Sequence, residues 1–241
     1  MILSFMPIYY GIVQTIKSFF SNNVQGVWYE PSDLTTIFQD PAGTILPVME
    51  QPVGLMLDKS QGMVLGLEVL TNADFTGGAT GWISNAGTSC TFSAGSVSYL
   101  TVGSGQGVYQ SGVASAGKLY KVSYTCTSYT SGNFSVYVGG SAGIGRNSTG
   151  TFTEYVFVAV NSVNTNAGIF CAGGSLSASF DDISVKVVSG NHAIQPNVTN
   201  RPILSARVNL LTKTEDFSDA TAWSYNAVSY THLTLPTNRE V

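Results

Sequence analysis

Residues 118–127 read KLYKVSYTCT, and their alternation decides the class of fold. In an extended chain Tyr120, Val122, Tyr124 and Cys126 share one face, while Lys121, Ser123 and Thr125 share the other. That is the pattern of a strand with one side against a core. Working outward, NFSVYV at 133–138 sets Phe134, Val136 and Val138 on one side, and TFTEYVFVAV at 151–160 becomes apolar on both faces, as a central strand does. Further strands are expected at 97–102, 107–111, 167–172 and 176–187, separated by Gly-rich breaks at 103–107, 139–145 and 173–174. Short strands at this spacing predict an all-β sandwich of two antiparallel sheets.

Composition agrees. The 241 residues suffice for one large domain or two small ones. Glycine contributes 26 of them, and charged residues make up 10%, against about 25% in an average globular chain. A hydrophobic content of 44% argues against disorder. The net charge is −4 and the ten basic residues are scattered, which excludes the positive footprint that a nucleic-acid partner requires. Cys90, Cys126 and Cys171 have neither metal-ligand spacing nor an even count, so they read as small buried hydrophobes.

The opening, MILSFMPIYYGIVQTIKSFF, lacks a basic start and is broken by Pro7 and Gly11. It reads as an amphipathic helix or an oligomer contact over residues 1–25, not as a signal peptide or a membrane span. Residues 26–61 carry short extended pieces and a helical turn near Ser32, and are too few to bury a core alone. The phrase VLTNADFTGGATGWIS at 69–84 returns as LLTKTEDFSDATAWSY at 210–225, as if a second β module begins within 210–227. VSYTHLTLPTNREV at 228–241 resembles translated sequencing-adapter sequence and is expected to be an artefactual tail.

Three stretches carry a family resemblance. NADFTGGATGW at 72–82, GKLYKVSYT at 117–125 and FDDISVKVV at 180–188 resemble the carbohydrate-binding modules typified by cellulose-binding jelly rolls, with Ala73 where that family usually has Gly. The resemblance covers 68–188, about half the chain, and implies a jelly-roll β-sandwich domain over 62–189 that binds glycan. It also implies a structural Ca²⁺ near the start of the module, with Asp74, Asp181 and Asp182 as hard ligands. The flanks, GVWYEPSDLTTIFQD at 26–40, PVGLMLDKS at 52–60 and the stretch from Gly190 to Trp223, resemble phage and prophage structural proteins of the tail-fibre or particle-associated type. In such proteins the LDKS and GNHA phrases run together. Here they are separated, so the jelly roll is expected to be inserted into a discontinuous lectin-like flanking unit, 26–61 with 190–209.

No nucleophile elbow, phosphate loop, zinc-binding helix or dinucleotide fingerprint occurs, and Asp181 and Asp182 are adjacent, so they point to opposite faces of a strand. Glu154 has no evident partner, and Gly190–Asn191 before His192 reads as a turn. A non-catalytic protein is the expectation. Sugar rings stack on exposed aromatics, which makes Tyr99, Tyr109, Tyr129 and Tyr137 the candidate binding residues, while Trp82 reads as a core anchor. Two functions follow. One is a virion component, tail fibre or capsid decoration, that touches host-surface or environmental glycan alongside other virion proteins or copies of itself. The other is an extracellular carbohydrate-binding module of a larger glycan-active enzyme.

Overall fold

The computed structural model describes residues 16, 18–20 and 24–205, apart from 86 and 94. The expectations for most of 1–25 and for 206–241, including the second module and the tail, lie outside the described residues. Among the described residues twelve strands occur in order: β1 (Ile37–Phe38), β2 (Leu55–Met56), β3 (Leu65–Glu68), β4 (Ile83–Ser84), β5 (Cys90–Ser93), β6 (Ser96–Val102), β7 (Gly107–Gln110), β8 (Leu119–Val138), β9 (Ser141–Ala142), β10 (Gly150–Phe157), β11 (Ala167–Val188) and β12 (Ala193–Ile194). Nine of them, β3 to β11, form one antiparallel, curled, half-barrel sheet of the jelly-roll type.

The expected separate strands 118–127 and 133–138 are one strand, β8, and 167–172 and 176–187 are likewise one strand, β11. The two pair antiparallel from Leu119↔Val188 to Val138↔Ala167, so a single long ribbon runs through both halves of the sheet. The first half has the order β10-β8-β11-β3, built on Leu119–Cys126 and Phe180–Val188. In the second half β9, β8, β11, β7 and β4 are neighbours, built on Phe134–Val138 and Ala167–Cys171. β6 joins β11 between the halves and carries β5 on its edge.

The expected break at 173–174 lies inside β11, whereas those at 103–107 and 139–145 do separate strands. Gly132, within β8, has φ +82°, and a Cβ there would lie 2.6 Å from Leu176 Cα, so only glycine allows β8 to approach β11 this closely. Register shifts in β11 near Gly173 and near Asp182, which has φ +50°, each change which side chains face inward. Hence Ile169 and Cys171, then Ala178 and Phe180, then Ile183 and Val185 all reach the same core despite their changing parity. β8 turns its even residues inward over Tyr120–Cys126 and again over Phe134–Val138, while between them Ser128 and Thr130 are exposed and Tyr129 packs against the core. The opening loop is tied by Asn72, whose side chain accepts from Gly77 N and donates to the Gly78 and Thr80 carbonyls, while Trp82 Nε1 donates to Asn72 O. Phe75 and Trp82 pack at 4.9 Å inside the core, so Trp82 is the anchor its position suggested. All three cysteines are free; Cys126 and Cys171 are buried and Cys90 is half-buried.

A second sheet, β1-β2-β12, joins the flanks: Met56 is the partner of both Ile37 and Ala193. Leu55 and Leu57 pack with Leu119 and Val188 of the large sheet. Fully buried Asp58 accepts hydrogen bonds from Trp28 N, Ser60 N, Ser60 Oγ and Asn191 N at 2.8–2.9 Å, and Asp58 N donates to His192 Nδ1 at 3.0 Å. This knot lies where the chain enters and leaves the sandwich. Burial pushes the Asp58 carboxyl up, but its hydrogen bonds outweigh that and hold it below the usual carboxylate range.

Candidate functional site

The outward face of the second half of the sheet carries a row of aromatics. Odd-numbered residues of β8 point away from the core there, as do Gly168 and Phe170 of β11 and Tyr109 of β7. Gly168 is the register partner of both Tyr109 and Tyr137, and Phe170 is the next outward residue on its strand. Phe170 therefore lies between the two tyrosines. Its ring is near-parallel to that of Tyr109 (17°, centroids 6.1 Å apart) and tilted on that of Tyr137 (62°, 5.3 Å). All three are half-buried, leaving part of each ring open. Glycine at 168 makes room for the row, since a Cβ there would touch Tyr109 Cβ at 2.9 Å.

The row lines an open cavity of about 680 Å³, which is also lined by Asn85, Asn164 and Asn166. No Lys, Arg, His, Asp or Glu is among its lining residues. Asn85 is spent on the scaffold: its Oδ1 accepts from Gly107 N and its Nδ2 donates to Gly105 O. Asn164 Oδ1 accepts from Asn166 N at 2.8 Å. Ser135, which shares the outward parity of Tyr137, has a buried Oγ with no hydrogen-bond partner. A buried donor left unpaired is costly, and a polar ligand atom would relieve it.

One wall of the cavity is held from below. Gly143 and Gly145 line it, and between them Ile144 N donates to Glu154 Oε2 at 2.6 Å. Glu154 is fully buried and also accepts from Tyr124 Oη at 3.1 Å. Burial pushes its carboxyl above the ordinary range, against the pull of these hydrogen bonds and of the nearby Arg146 charge. The partner that the sequence did not reveal for Glu154 is thus a loop amide and a core phenol.

Of the four tyrosines singled out in the sequence, the fold brings two together. Tyr109 and Tyr137 belong to the row. Tyr99 is 3% exposed, and its hydroxyl donates to Ile169 O (2.7 Å) and accepts from Val108 N (2.9 Å). It is a core residue bridging strands, so its assignment to the surface is corrected. Val97 and Tyr99 share one face of β6, which the alternation already contained. Tyr129 is half-buried beside the core, its ring 6.4 Å from Phe134 and its hydroxyl on Gly132 O, and it is not part of the cavity lining. Phe170 was missed, although its parity opposite Ile169 and Cys171 marks it as outward.

The three aspartates do not fit a calcium ion. Asp74 Oδ1 turns back onto Thr76 N and Oγ1, and Asp181 Oδ1 accepts from Asp182 N at 2.6 Å. Burial raises the Asp181 carboxyl, helped by the charges of Asp182 and Asp74. Among the described residues no group of three or more His, Cys, Asp or Glu could hold a metal ion. Among them, too, no helix is long and apolar enough to cross a membrane.

No protein-family model and no curated protein matches the chain. Several solved structures are similar to it. The CBM22-1 xylan-binding domain from Paenibacillus barcinonensis is 12% identical with a TM-score of 0.40, the match covering 52% of this chain and 97% of that one. A Clostridium thermocellum xylanase fragment, solved with xylohexaose, is 13% identical with a TM-score of 0.35, covering 53% of this chain and 29% of that one. The N-terminal cellulose-binding domain of Cellulomonas fimi β-1,4-glucanase C is 21% identical with a TM-score of 0.30, covering 50% and 93%. With scores of this size, the groove has to be judged by its own geometry.

Proposed function

We propose that the sandwich is a non-catalytic carbohydrate-binding module whose ligand lies on the Tyr109–Phe170–Tyr137 row. The observation that carries this is the row itself: three adjacent strands set the half-buried rings of Tyr109, Phe170 and Tyr137 side by side in an open groove edged by asparagines and lined by no charged residue. Sugar rings bury their C–H faces on aromatics while amides and hydroxyls meet their hydroxyl groups. The uncharged lining favours a neutral polysaccharide. Xylan and cellulose, named for the similar domains, are the first ligands to try. An extracellular module of a larger glycan-active enzyme is the setting this supports best; the phage-like phrases of the flanks stay a resemblance of sequence alone. The pairing of β12 with β2 supports reading the sandwich as an insertion between Ser60 and Gly190.

The test is affinity electrophoresis and calorimetry of the full chain with neutral soluble polysaccharides and their oligosaccharides. Saturable binding that disappears in a Tyr109→Ala/Tyr137→Ala variant with an unchanged thermal midpoint is the expected result. Binding that survives in that variant, or no binding by the folded protein, overturns the assignment.

A further inference from the structure

The outward face of the first half of the sheet has a different lattice. Lys121 and Lys186 are direct register partners on β8 and β11. In the next row, Thr153, Ser123 and Ser184 are successive partners across β10, β8 and β11. All five line one surface cavity of about 230 Å³, with Leu65 at its rim. Like charges directly opposite one another on a sheet repel and destabilise the pair. Among the described residues neither ammonium has an ion-pair partner within 4.0 Å, whereas Lys59 of the flanking unit is gripped by Glu30 and Asp33 at 2.5 and 2.6 Å. Glu68, the register partner of Lys186 on β3, brings its carboxylate to the edge of this lattice, where it accepts from Leu70 N, Val185 N and Ser184 Oγ without forming an ion pair. The hydroxyls of Ser123 and Thr153 make no hydrogen bond with another described residue.

We propose that this lattice is an oxyanion site, binding a phosphate or sulfate ester carried by a polysaccharide. Two ammoniums supply charge, and the Ser123 and Thr153 hydroxyls add donors in the adjacent row. The donors outnumber the two oxygens of a carboxylate and suit the three free oxygens of a tetrahedral ester. The anion would also relieve the repulsion that the Lys–Lys register creates. The site shares no residue with the aromatic groove, so either can fail without the other.

The test uses the full chain and a Lys121→Gln/Lys186→Gln variant. Inorganic phosphate and sulfate are titrated while the thermal midpoint and the amide signals of 121–123 and 184–186 are followed. At tenfold Kd the wild type should gain about 3 °C, and the variant should not. Both ions also stabilise proteins generally through exclusion from the surface, so only the difference between the two proteins counts. The variant, freed of the repulsion, should be at least as stable without anion, which shows that it folds. An equal response in both proteins, or none in either, overturns the proposal. A phosphorylated and a sulfated polysaccharide then identify the source: the cognate polymer should bind at least tenfold more weakly to the variant. If the free ions bind and neither polymer does, the ester assignment is wrong.

Discussion

The two outward faces of the sheet are made from the same two strands, yet they offer opposite chemistry. Over Leu119–Cys126 and Phe180–Val188 the ribbon shows lysines and hydroxyls; over Phe134–Val138 and Ala167–Cys171 it shows aromatics and glycine, in a groove whose lining the loop residues Asn85, Asn164 and Asn166 complete. Inward, both stretches feed one continuous core. The inward positions are constrained by packing and the outward ones are not, so a single ribbon can carry two unrelated surfaces on one scaffold.

The strongest way to break this comparison is through the core both faces share. Phe180 is fully buried between Tyr99 and Phe134, with ring centroids at 5.4 and 4.8 Å. Phe180→Ala should cost about 3–5 kcal/mol in urea unfolding. If only one half lost its protection from amide exchange, the two halves would not be one cooperative unit.

Next comes the groove. Tyr137→Ala should weaken glycan binding by at least tenfold, about 1.4 kcal/mol, and leave the anion response of the lysine face untouched. A loss of both responses would mean that the faces are coupled.

Tyr99→Phe separates scaffold from surface. It deletes a hydroxyl that joins Ile169 O and Val108 N in the interior, for an expected cost of about 1–3 kcal/mol with no change in glycan affinity of the folded protein. A change in affinity with unchanged stability would return Tyr99 to the site.

Glu154 gives a pH test of the link between the halves, because it rises from β10 and holds the groove wall. Its folded pKa lies above the ordinary 4.5, so its protonated form is favoured on folding. The stability this contributes is fully present below about pH 4.5 and is lost as pH rises through the raised value. The difference in thermal midpoint between wild type and Glu154→Gln should therefore vary with pH across that window, and a flat difference would show that burial does not act on this carboxyl. The smallest effect expected is from chelation: EDTA should leave the midpoint unchanged, and a fall would restore calcium at Asp74 and Asp181.

Much of the sandwich was legible because alternation is local. KLYKVSYTCT declares its faces whatever its partner, and Phe75 and Trp82 declare themselves as bulky apolar residues beside turns. The same rule, applied to Val97 with Tyr99 and to Ile169 with Phe170, places Tyr99 inside and Phe170 outside. What alternation could not supply was the effect of the bulges in β11, since a register shift depends on the partner strand.

By itself, then, the sequence determined the β class of the sandwich, the inward-facing residues of its regularly alternating stretches, and the scarcity of charge that shapes the groove. Only the tertiary structure decided that β8 and β11 each run unbroken through both halves, that Tyr109, Phe170 and Tyr137 stand side by side, that Glu154 is buried beneath Ile144, and that Lys121 faces Lys186. Each of these is a relation between strands distant in the chain. Side-chain parity is written in consecutive residues, whereas register is set by which backbone groups pair once the chain has folded.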